Sequence, residues 1–160
     1  MVNKVQSARG TKLSERELAA WAGFLRTHAT LVRALDDELT AAHRLPLTSY
    51  DVLVQVDAAP ESRLRMSELA DAVLLSRSGL TRLVGRLIDQ GLLERVGCEN
   101  DLRGAYAALT DSGRERLAEA RETHRRGVRE RFLDRLDDAD KESLARIWRE
   151  LGETRSAVAC

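Results

Sequence analysis

Cysteine, proline and aromatic residues are scarce in this chain of 160 residues, which has two cysteines, two prolines and two each of Trp, Tyr and Phe. Cys98 and Cys160 lie far apart, with no second Cys or His at metal-ligand spacing. The sequence therefore predicts a reduced, cytoplasmic protein without a metal site or other cofactor. No apolar run approaches the ~20 residues needed to cross a bilayer, and the polar stretch 1–12 has no signal-peptide pattern.

Net charge is also lacking, because 26 Lys and Arg residues balance 26 Asp and Glu residues. Any affinity for nucleic acid must then come from a local patch and not from the overall field. The sequence contains no nucleophile with a neighbouring base, no glycine-rich phosphate loop and no metal cluster, which predicts a protein that is not an enzyme. A hydrophobic content of 43% is enough for one core, or for a small lobe with an oligomerisation arm.

A long amphipathic helix is predicted near the start of the chain. Ser14 with Glu17 three residues later is a capping-box pattern, and Pro46 disfavours helix at the preceding Leu45. Between these ends, residues with three-four spacing form one stripe. The stripe consists of Leu18, Trp21, Leu25, His28, Val32, Leu35, Leu39 and Ala42. Because a small core alone does not support a helix of this length, we expect the stripe to pack against another chain.

The segment 47–109 alternates helical and strand patterns. The predicted elements are a helix over Thr48–Val56, a short edge strand over Arg63–Met66, a helix capped by Ser67, a helix from a Ser76 cap to Gly91, and strands over Leu92–Val96 and Ala105–Leu109 around a polar loop. This order is typical of a winged helix-turn-helix, in which a helix held on a small hydrophobic base enters the major groove of DNA.

Two further helices are predicted after this segment. Thr110 caps a long helix, and Asp137 or Asp138 begins the last one. The inner positions are Leu117, Ala120, His124, Val128, Phe132 and Leu136 in the first helix, and Leu144, Ile147, Trp148 and Leu151 in the last. The tail from Gly152 to Cys160 is expected to fray.

The helix after Ser76 collects positive charge in a neutral protein. With its leucines and valine directed inward, four residues near the helix N-terminus face outward, within reach of base edges and phosphates. These are Arg77, Ser78, Thr81 and Arg82. Ser76 and the N-terminal amides can take a phosphate, and Arg86, one turn further, suits either a phosphate or an internal acidic partner.

The hairpin tip offers a second cationic element. Arg103 lies two residues after Asp101, whose carboxylate could hold the guanidinium in position. Such an arginine could enter the narrow minor groove beside the major groove and respond to its width and negative potential.

From about Leu18 to Leu151 the chain resembles the MarR family of bacterial transcriptional regulators. The resemblance rests on LPLTSYDVLVQV at 45–56, RMSELADAVLLSRSGLTRLVGRLIDQGLLERV at 65–96, and the wing Asp101-x-Arg103-Gly104 followed by LTDSG at 109–113. It implies a homodimer built from the first and last two helices, with Arg103 in the minor groove and Asp101 orienting it. The implied division is a dimerisation helix at 14–45, a winged domain at 46–110 and dimerisation helices at 111–155.

The same resemblance implies a small aromatic or phenolic effector in a crevice between the dimer region and the winged lobe. The candidates are Trp21, Leu25, His28, Tyr50 and Asp51. A plain hydrophobic junction is the alternative. Urate-sensing members carry a Trp, an Asp and two Arg in set places. Trp21 and Asp51 agree with this pattern, but Leu83 stands where one Arg is expected, so a urate-type ligand is not predicted.

Two histidines and one cysteine leave alternatives open. His28 and His124 each lie on an apolar stripe, as buried hydrogen-bonded residues or as groups whose protonation would strain the dimer. Cys98, at the base of the wing, is an inert thiol or one whose oxidation affects DNA binding.

The sequence thus predicts a homodimeric, ligand-responsive repressor that binds a pseudo-palindrome in duplex DNA. Repression rather than activation is an expectation from the family alone. The alternative class is a winged-helix module whose outer arginines meet an acidic protein partner.

Overall fold

A computed structural model describes residues 12–73, 75–98 and 101–156 of the chain. The described residues form a mainly helical protein with one small antiparallel sheet, which is the predicted fold class. The helices are α1 (Glu15–His43), α2 (Leu47–Ala58), α3 (Met66–Ala72), α4 (Arg77–Asp89), α5 (Asp111–Arg131) and α6 (Asp138–Ser156). The strands are β1 (Arg63–Arg65), β2 (Leu93–Cys98) and β3 (Asp101–Leu109), and short 3₁₀ turns lie at Pro60–Ser62 and Leu133–Arg135.

Helix α1 begins and ends where the sequence predicts. The Ser14 hydroxyl oxygen accepts a hydrogen bond from the Glu17 N–H at 3.3 Å, and the Glu17 carboxylate accepts one from the Ser14 N–H at 2.7 Å. Because these hydrogen bonds favour the ionised carboxyl, the pKa of Glu17 is lowered. At the other end, Arg44 adopts a left-handed φ of 52°, and Pro46 follows outside the helix.

The winged lobe is held by one apolar core between its helices and the sheet. The strand order is β1-β3-β2, so β1 is an edge strand as predicted. Leu64 pairs with Ala107, and Leu93 pairs with Leu109. The core residues are Tyr50, Val52, Leu53, Val56, Leu69, Ala70, Leu80, Leu83, Val84, Leu87, Leu92, Leu93, Ala107 and Leu109, with Leu39 of α1, Leu45, and Leu117 and Ala120 of α5. This core joins the lobe to the first half of α5.

Helix α3 starts earlier than predicted. Arg65, and not Ser67, is its N-cap residue, and the Glu68 carboxylate accepts a hydrogen bond from the Arg65 N–H at 3.3 Å. The Arg65 side chain has no acceptor for a reciprocal hydrogen bond, so the Glu68 carboxylate alone binds this helix end, whereas Ser67 lies inside the first turn. The prediction of Ser67 as the cap is therefore wrong.

The wing strands are longer than predicted. Backbone pairing continues to Cys98 on β2 and begins at Asp101 on β3, with a register shift after Gly97. Residues 99–100 of the predicted loop lie outside the described residues. The sequence pattern ended the strands early because the apolar alternation stops there, but a two-stranded ribbon needs only its backbone hydrogen bonds to continue.

Helix α5 is shorter and α6 longer than predicted. Phe132, with φ −128° and ψ −62°, ends α5, so neither Phe132 nor Leu136 belongs to that helix. Asp137 accepts the Asp140 N–H at 2.7 Å just before α6. Helix α6 continues to Ser156, so the expected fraying from Gly152 is wrong for that stretch, and residues 157–160 lie outside the described residues.

A large apolar surface remains exposed on α1 and α6. The predicted inner positions Ile147, Trp148 and Leu151 are not buried within the chain: Trp148 is 46% and Leu151 59% exposed. Phe24 joins the two helices, since its ring centroid lies 5.7 Å from that of Trp148. The exposed residues, termed the α1–α6 apolar face, are Leu18, Trp21, Phe24, Leu25, Val32, Ile147, Trp148 and Leu151.

A methyl group at Gly113 is expected to destabilise the protein. A Cβ there would overlap the Leu92 carbonyl oxygen and lie 2.8 Å from Leu109 Cδ2, so Gly113→Ala should lower the free energy of unfolding by about 1–3 kcal/mol. In the matched control Gly85→Ala, where a Cβ meets nothing within 4 Å, better helix propensity should raise it by about 0.5–1 kcal/mol. Urea denaturation measures both, and equal effects of the two substitutions would contradict this account.

Candidate nucleic-acid interface

Helix α4 begins at the predicted cap. The Ser76 hydroxyl oxygen accepts a hydrogen bond from the Gly79 N–H at 3.2 Å and lies 3.4 Å from the Ser78 hydroxyl oxygen. The first turn contains no acidic residue. The remaining N–H groups and the helix dipole therefore present an uncancelled partial positive charge at this end.

The burial of one side of α4 determines which residues face outward. Leu80, Leu83, Val84 and Leu87 are buried, so the opposite side is directed to solvent. All six residues predicted for DNA binding on this helix are exposed, namely Ser76, Arg77, Ser78, Thr81, Arg82 and Arg86.

Two hydrogen bonds order the outer side of α4. The Thr81 hydroxyl donates to the Arg77 carbonyl at 2.9 Å, and Arg82 Nε donates to the Ser78 carbonyl at 3.4 Å. Both bonds tie a side chain to the preceding turn, which reduces the number of rotamers that must be fixed on binding.

The arginines of α4 have no acidic partner among the described residues, where no carboxylate lies within 4.0 Å of Arg77, Arg82 or Arg86. An internal acidic partner for Arg86 is thus absent from this part of the chain. Elsewhere, Arg121 pairs with Asp57 at 2.6 Å. The charge on α4 therefore stays available for an external anion.

The wing places Asp101 and Arg103 on β3, and Asp101 pairs with Cys98 across the hairpin. The side chains of both residues lie outside the described part, so the role of Asp101 in orienting Arg103 stays a prediction.

The sequence did not predict a cluster of side chains that lies on the edge of the sheet. Tyr106 on β3 faces Arg65 on β1, and Arg65 Nε donates to the Tyr106 hydroxyl at 3.0 Å. The guanidinium carbons of Arg63 and Arg65 lie 5.6 and 5.4 Å from the Tyr106 ring centroid, within the range of cation–π contacts. Only the register of β1 against β3 brings these residues together, and no local pattern in the sequence encodes that register.

The five predicted effector residues lie in two separate places within the chain. Trp21 and His28 are exposed near Phe24 in the first half of α1, and Leu25 is exposed beside them. In contrast, the Tyr50 ring of α2 is buried and stacks on the His124 ring of α5, with centroids 4.7 Å apart. His28 is therefore not a core histidine of the single chain.

Three titratable groups near the Tyr50–His124 contact have shifted pKa values. Burial raises the pKa of the Tyr50 hydroxyl and of the neighbouring Asp51 carboxyl. Burial lowers the pKa of His124, and the Asp51 charge opposes this shift. A groove of about 580 Å³ adjoins His124 and is bordered by Arg125, Val128, Arg129 and Leu133, among others. All the residues that border this groove belong to α5 and the 3₁₀ turn that follows it, and Tyr50 and Asp51 of α2 are not among them.

Other classes of site are not seen in the part of the chain that the structure describes. Within residues 12–73, 75–98 and 101–156, no three His, Cys, Asp or Glu side chains are grouped so as to hold a metal ion. None of the helices in these ranges is both long and apolar enough to cross a membrane.

Helix α3 is followed within a few residues by α4, both lie on a small antiparallel sheet, and the outer face of α4 is cationic. This arrangement defines the winged helix-turn-helix class of DNA-binding proteins. Within that class, the model of the MarR family matches residues 44–104. Sco3205, a MarR family transcriptional regulator from Streptomyces coelicolor solved in complex with DNA, is 34% identical with a TM-score of 0.85, over 91% of each chain. The chain belongs to the MarR family, as predicted.

Two further relatives agree with this assignment. AbsC, a MarR family transcriptional regulator from Streptomyces coelicolor, has a TM-score of 0.85 at 29% identity, covering 92% of this chain and 99% of AbsC. The transcriptional repressor MprA of Escherichia coli strain K12 is 26% identical over 115 residues, which are 72% of this chain and 65% of MprA. The chain thus matches less than two thirds of MprA. These relatives are transcriptional regulators and not enzymes, as the sequence predicts for this protein.

Acidification is expected to weaken the fold through His124. Because burial lowers its pKa in the folded state, stability should be lost as pH falls through the ordinary histidine range towards that lowered value. The raised pKa of Asp51 acts in the opposite direction, and only at lower pH, near the carboxyl range. Urea denaturation between about pH 7.5 and 5.5 should show a loss that is smaller in His124→Phe, which keeps a ring against Tyr50. The same pH dependence in both proteins would contradict the assignment.

Proposed function

We propose that this protein is a homodimeric transcriptional repressor that binds a pseudo-palindromic operator through α4 and the wing. The observation that carries the proposal is the outer side of α4, where three arginines without described acidic partners follow a helix N-terminus in a chain of zero net charge. Such a surface is attracted to phosphates, and a helix of this size fits the major groove of B-DNA.

The proposed contacts divide by type. Ser76 and the first amides of α4 bind a phosphate, while Arg77, Ser78, Thr81 and Arg82 reach base edges or phosphates. Arg86 lies a turn further and contacts a phosphate. At the wing, Arg103 enters the minor groove and Asp101 orients it.

The α1–α6 apolar face supports the homodimer. Trp21 is 55% exposed although it lies on the stripe of α1, and the exposed side of α6 continues this surface. Contiguous apolar patches of this kind mark interaction surfaces. A second copy would cover them by two-fold symmetry and set two α4 helices for successive major grooves. Residues 14–45 and 111–155 are then the dimerisation regions, and residues 46–110 the DNA-binding domain.

The proposal includes regulation by a small molecule. The α2–α5 junction with Tyr50 and Asp51 offers an aromatic wall and polar groups. A crevice that also includes Trp21, Leu25 and His28 requires the first helix of a second copy, because the two groups lie apart in one chain. We propose a small aromatic or phenolic effector there. MprA is named as a repressor, which favours repression in this protein too. A bacterial regulator of this kind works in the cytoplasm, where its DNA lies.

The function is tested by selecting bound duplexes from a random DNA pool. We expect an enriched palindrome with half-sites about 10 base pairs apart, because two recognition helices meet successive turns of the duplex. Fluorescence anisotropy across a salt series should show affinity falling as salt rises. Weak, salt-sensitive binding without enrichment would instead favour a winged-helix module that binds an acidic protein.

Replacing single arginines should separate their roles. Arg82→Ala is expected to weaken the free energy of operator binding by about 1–3 kcal/mol and to relax the preference for the base that Arg82 contacts. Arg103→Ala should weaken binding to all sequences while leaving the major-groove preference intact. Anisotropy titrations on the selected operator and on scrambled DNA measure both. Arg125→Ala on α5, remote from α4, is the control, and a switch of base preference in Arg103→Ala would overturn its role.

A charge in the α1–α6 apolar face should break the proposed dimer. In Trp148→Asp, a carboxylate beside Phe24 would be buried without a partner in the interface, so we expect dissociation to monomers at micromolar concentration. Sedimentation velocity reports the mass, and circular dichroism checks that the helices remain. The exposed neighbour Arg149→Ala is the control. An undiminished dimer in Trp148→Asp would place the interface elsewhere.

A further inference from the structure

Helix α2 has no capping side chain of its own. Its N-cap residue is Pro46, which makes no side-chain hydrogen bond, and its first turn contains no acidic residue. Helices α1, α4 and α5, by contrast, are capped by Ser14, Ser76 and Thr110. An uncapped helix start leaves backbone N–H groups that need an acceptor from elsewhere.

The acceptor comes from a different helix. Asp36 Oδ1 on α1 accepts a hydrogen bond from the Leu47 N–H at 2.7 Å, in a partly buried position. A carboxylate at this point also interacts favourably with the positive end of the α2 dipole. Asp36 therefore caps α2 across the turn at Arg44–Pro46.

The same end of α1 is fixed on α5. His43 Nε2 lies 2.8 Å from the buried Thr123 hydroxyl oxygen, and Arg116 Nη1 donates to the His43 carbonyl at 2.8 Å. These hydrogen bonds fix the C-terminal part of α1, which contains Asp36, against α5.

Helix α2 also contacts α5 further along. Tyr50 stacks on His124, and Asp57 pairs with Arg121 at 2.6 Å. On its inner side, Leu53 and Val56 belong to the core that carries α4. Helix α2 is thus one of the connections between the long helices and the DNA-reading lobe, beside Leu117 and Ala120 of α5, which lie in the same core.

We propose that Asp36 is a positioning residue, whose cap sets the orientation of the winged lobe on the long helices and hence the separation of the two α4 helices in the dimer. This inference rests on the proposed function. Without the cap, α2 loses one of its attachments and the lobe can pivot at Pro46. A small pivot is magnified at α4, which lies beyond the core. The protein should then change its preference for the spacing between half-sites in the DNA. Its preference for particular bases should stay the same, because the base-reading side chains are unchanged.

The test compares Asp36→Ala, Asp36→Asn and the control Asp37→Ala, which alters the exposed neighbouring carboxylate on α1. Affinity is measured by anisotropy on the selected palindrome and on versions with one base pair added or removed at the centre. We expect the unsubstituted protein and Asp37→Ala to prefer the selected spacing. In Asp36→Ala the preference should fall several-fold, with operator affinity down about ten-fold, which is 1.4 kcal/mol. Asp36→Asn keeps a capping oxygen and should retain the preference.

Loss of stability alone would lower affinity on all three spacings equally, so the ratio between spacings separates positioning from folding. Chemical denaturation gives the folded fraction for each variant, and Asp36→Asn provides a folded comparison. An unchanged spacing ratio in Asp36→Ala, or an equal loss in Asp37→Ala, would overturn the role of Asp36 while leaving the proposed function in place. Absence of any sequence-specific binding by the unsubstituted protein would overturn both.

Discussion

The burial of one side of α4 is the constraint on which the candidate interface depends. Leu80, Leu83, Val84 and Leu87 pack against α2, α3 and the sheet, and each fully buried side chain of this size contributes about 1.5–3 kcal/mol. A helix with one side fixed in this way has its other side fixed too, because side chains follow the helical repeat. The arginines are exposed as a consequence, and they need no contact of their own to be directed outward. The weak hydrogen bonds along the outer side refine this arrangement and do not create it.

The short and the long helices differ in where their apolar residues lie. The lobe buries its apolar residues within one chain, while the first half of α1 and most of α6 leave theirs exposed. Apolar surface of this extent is costly in water, which is why we propose a second copy as its partner. Helix α2 belongs to both parts: its inner side lies in the core of the lobe, and its ends and the Tyr50 ring contact α1 and α5. A change in the long helices can therefore reach α4 through α2, as well as through the residues of α5 that lie in the core.

Local signals in the sequence were the most accurate predictors of this structure. The caps at Ser14, Ser76 and Thr110 were predicted and are confirmed, because each depends on side-chain and backbone groups within three residues. The family assignment was likewise confirmed, since several motifs agreed in order and spacing. Errors arose where two signals competed or where a pattern stopped. Ser67 is not the cap of α3, because the helix begins at Met66 and the Glu68 carboxylate binds the backbone N–H of Arg65. The apolar spacing continued to Leu136, but α5 ends at Arg131 because the chain turns at Phe132.

The sequence by itself determined the order of the elements, the apolar side of each helix and the residues opposite it on α4. These follow from periodicity and local hydrogen bonding, which act within a few residues. Only the tertiary structure decided which distant groups meet: Tyr106 with Arg65, Tyr50 with His124, and Asp36 with the start of α2. It also separated Trp21, Leu25 and His28 from Tyr50 and Asp51. Such pairs depend on how helices and strands pack across long stretches of chain, and that packing is set by the combined burial of many side chains and not by any short segment.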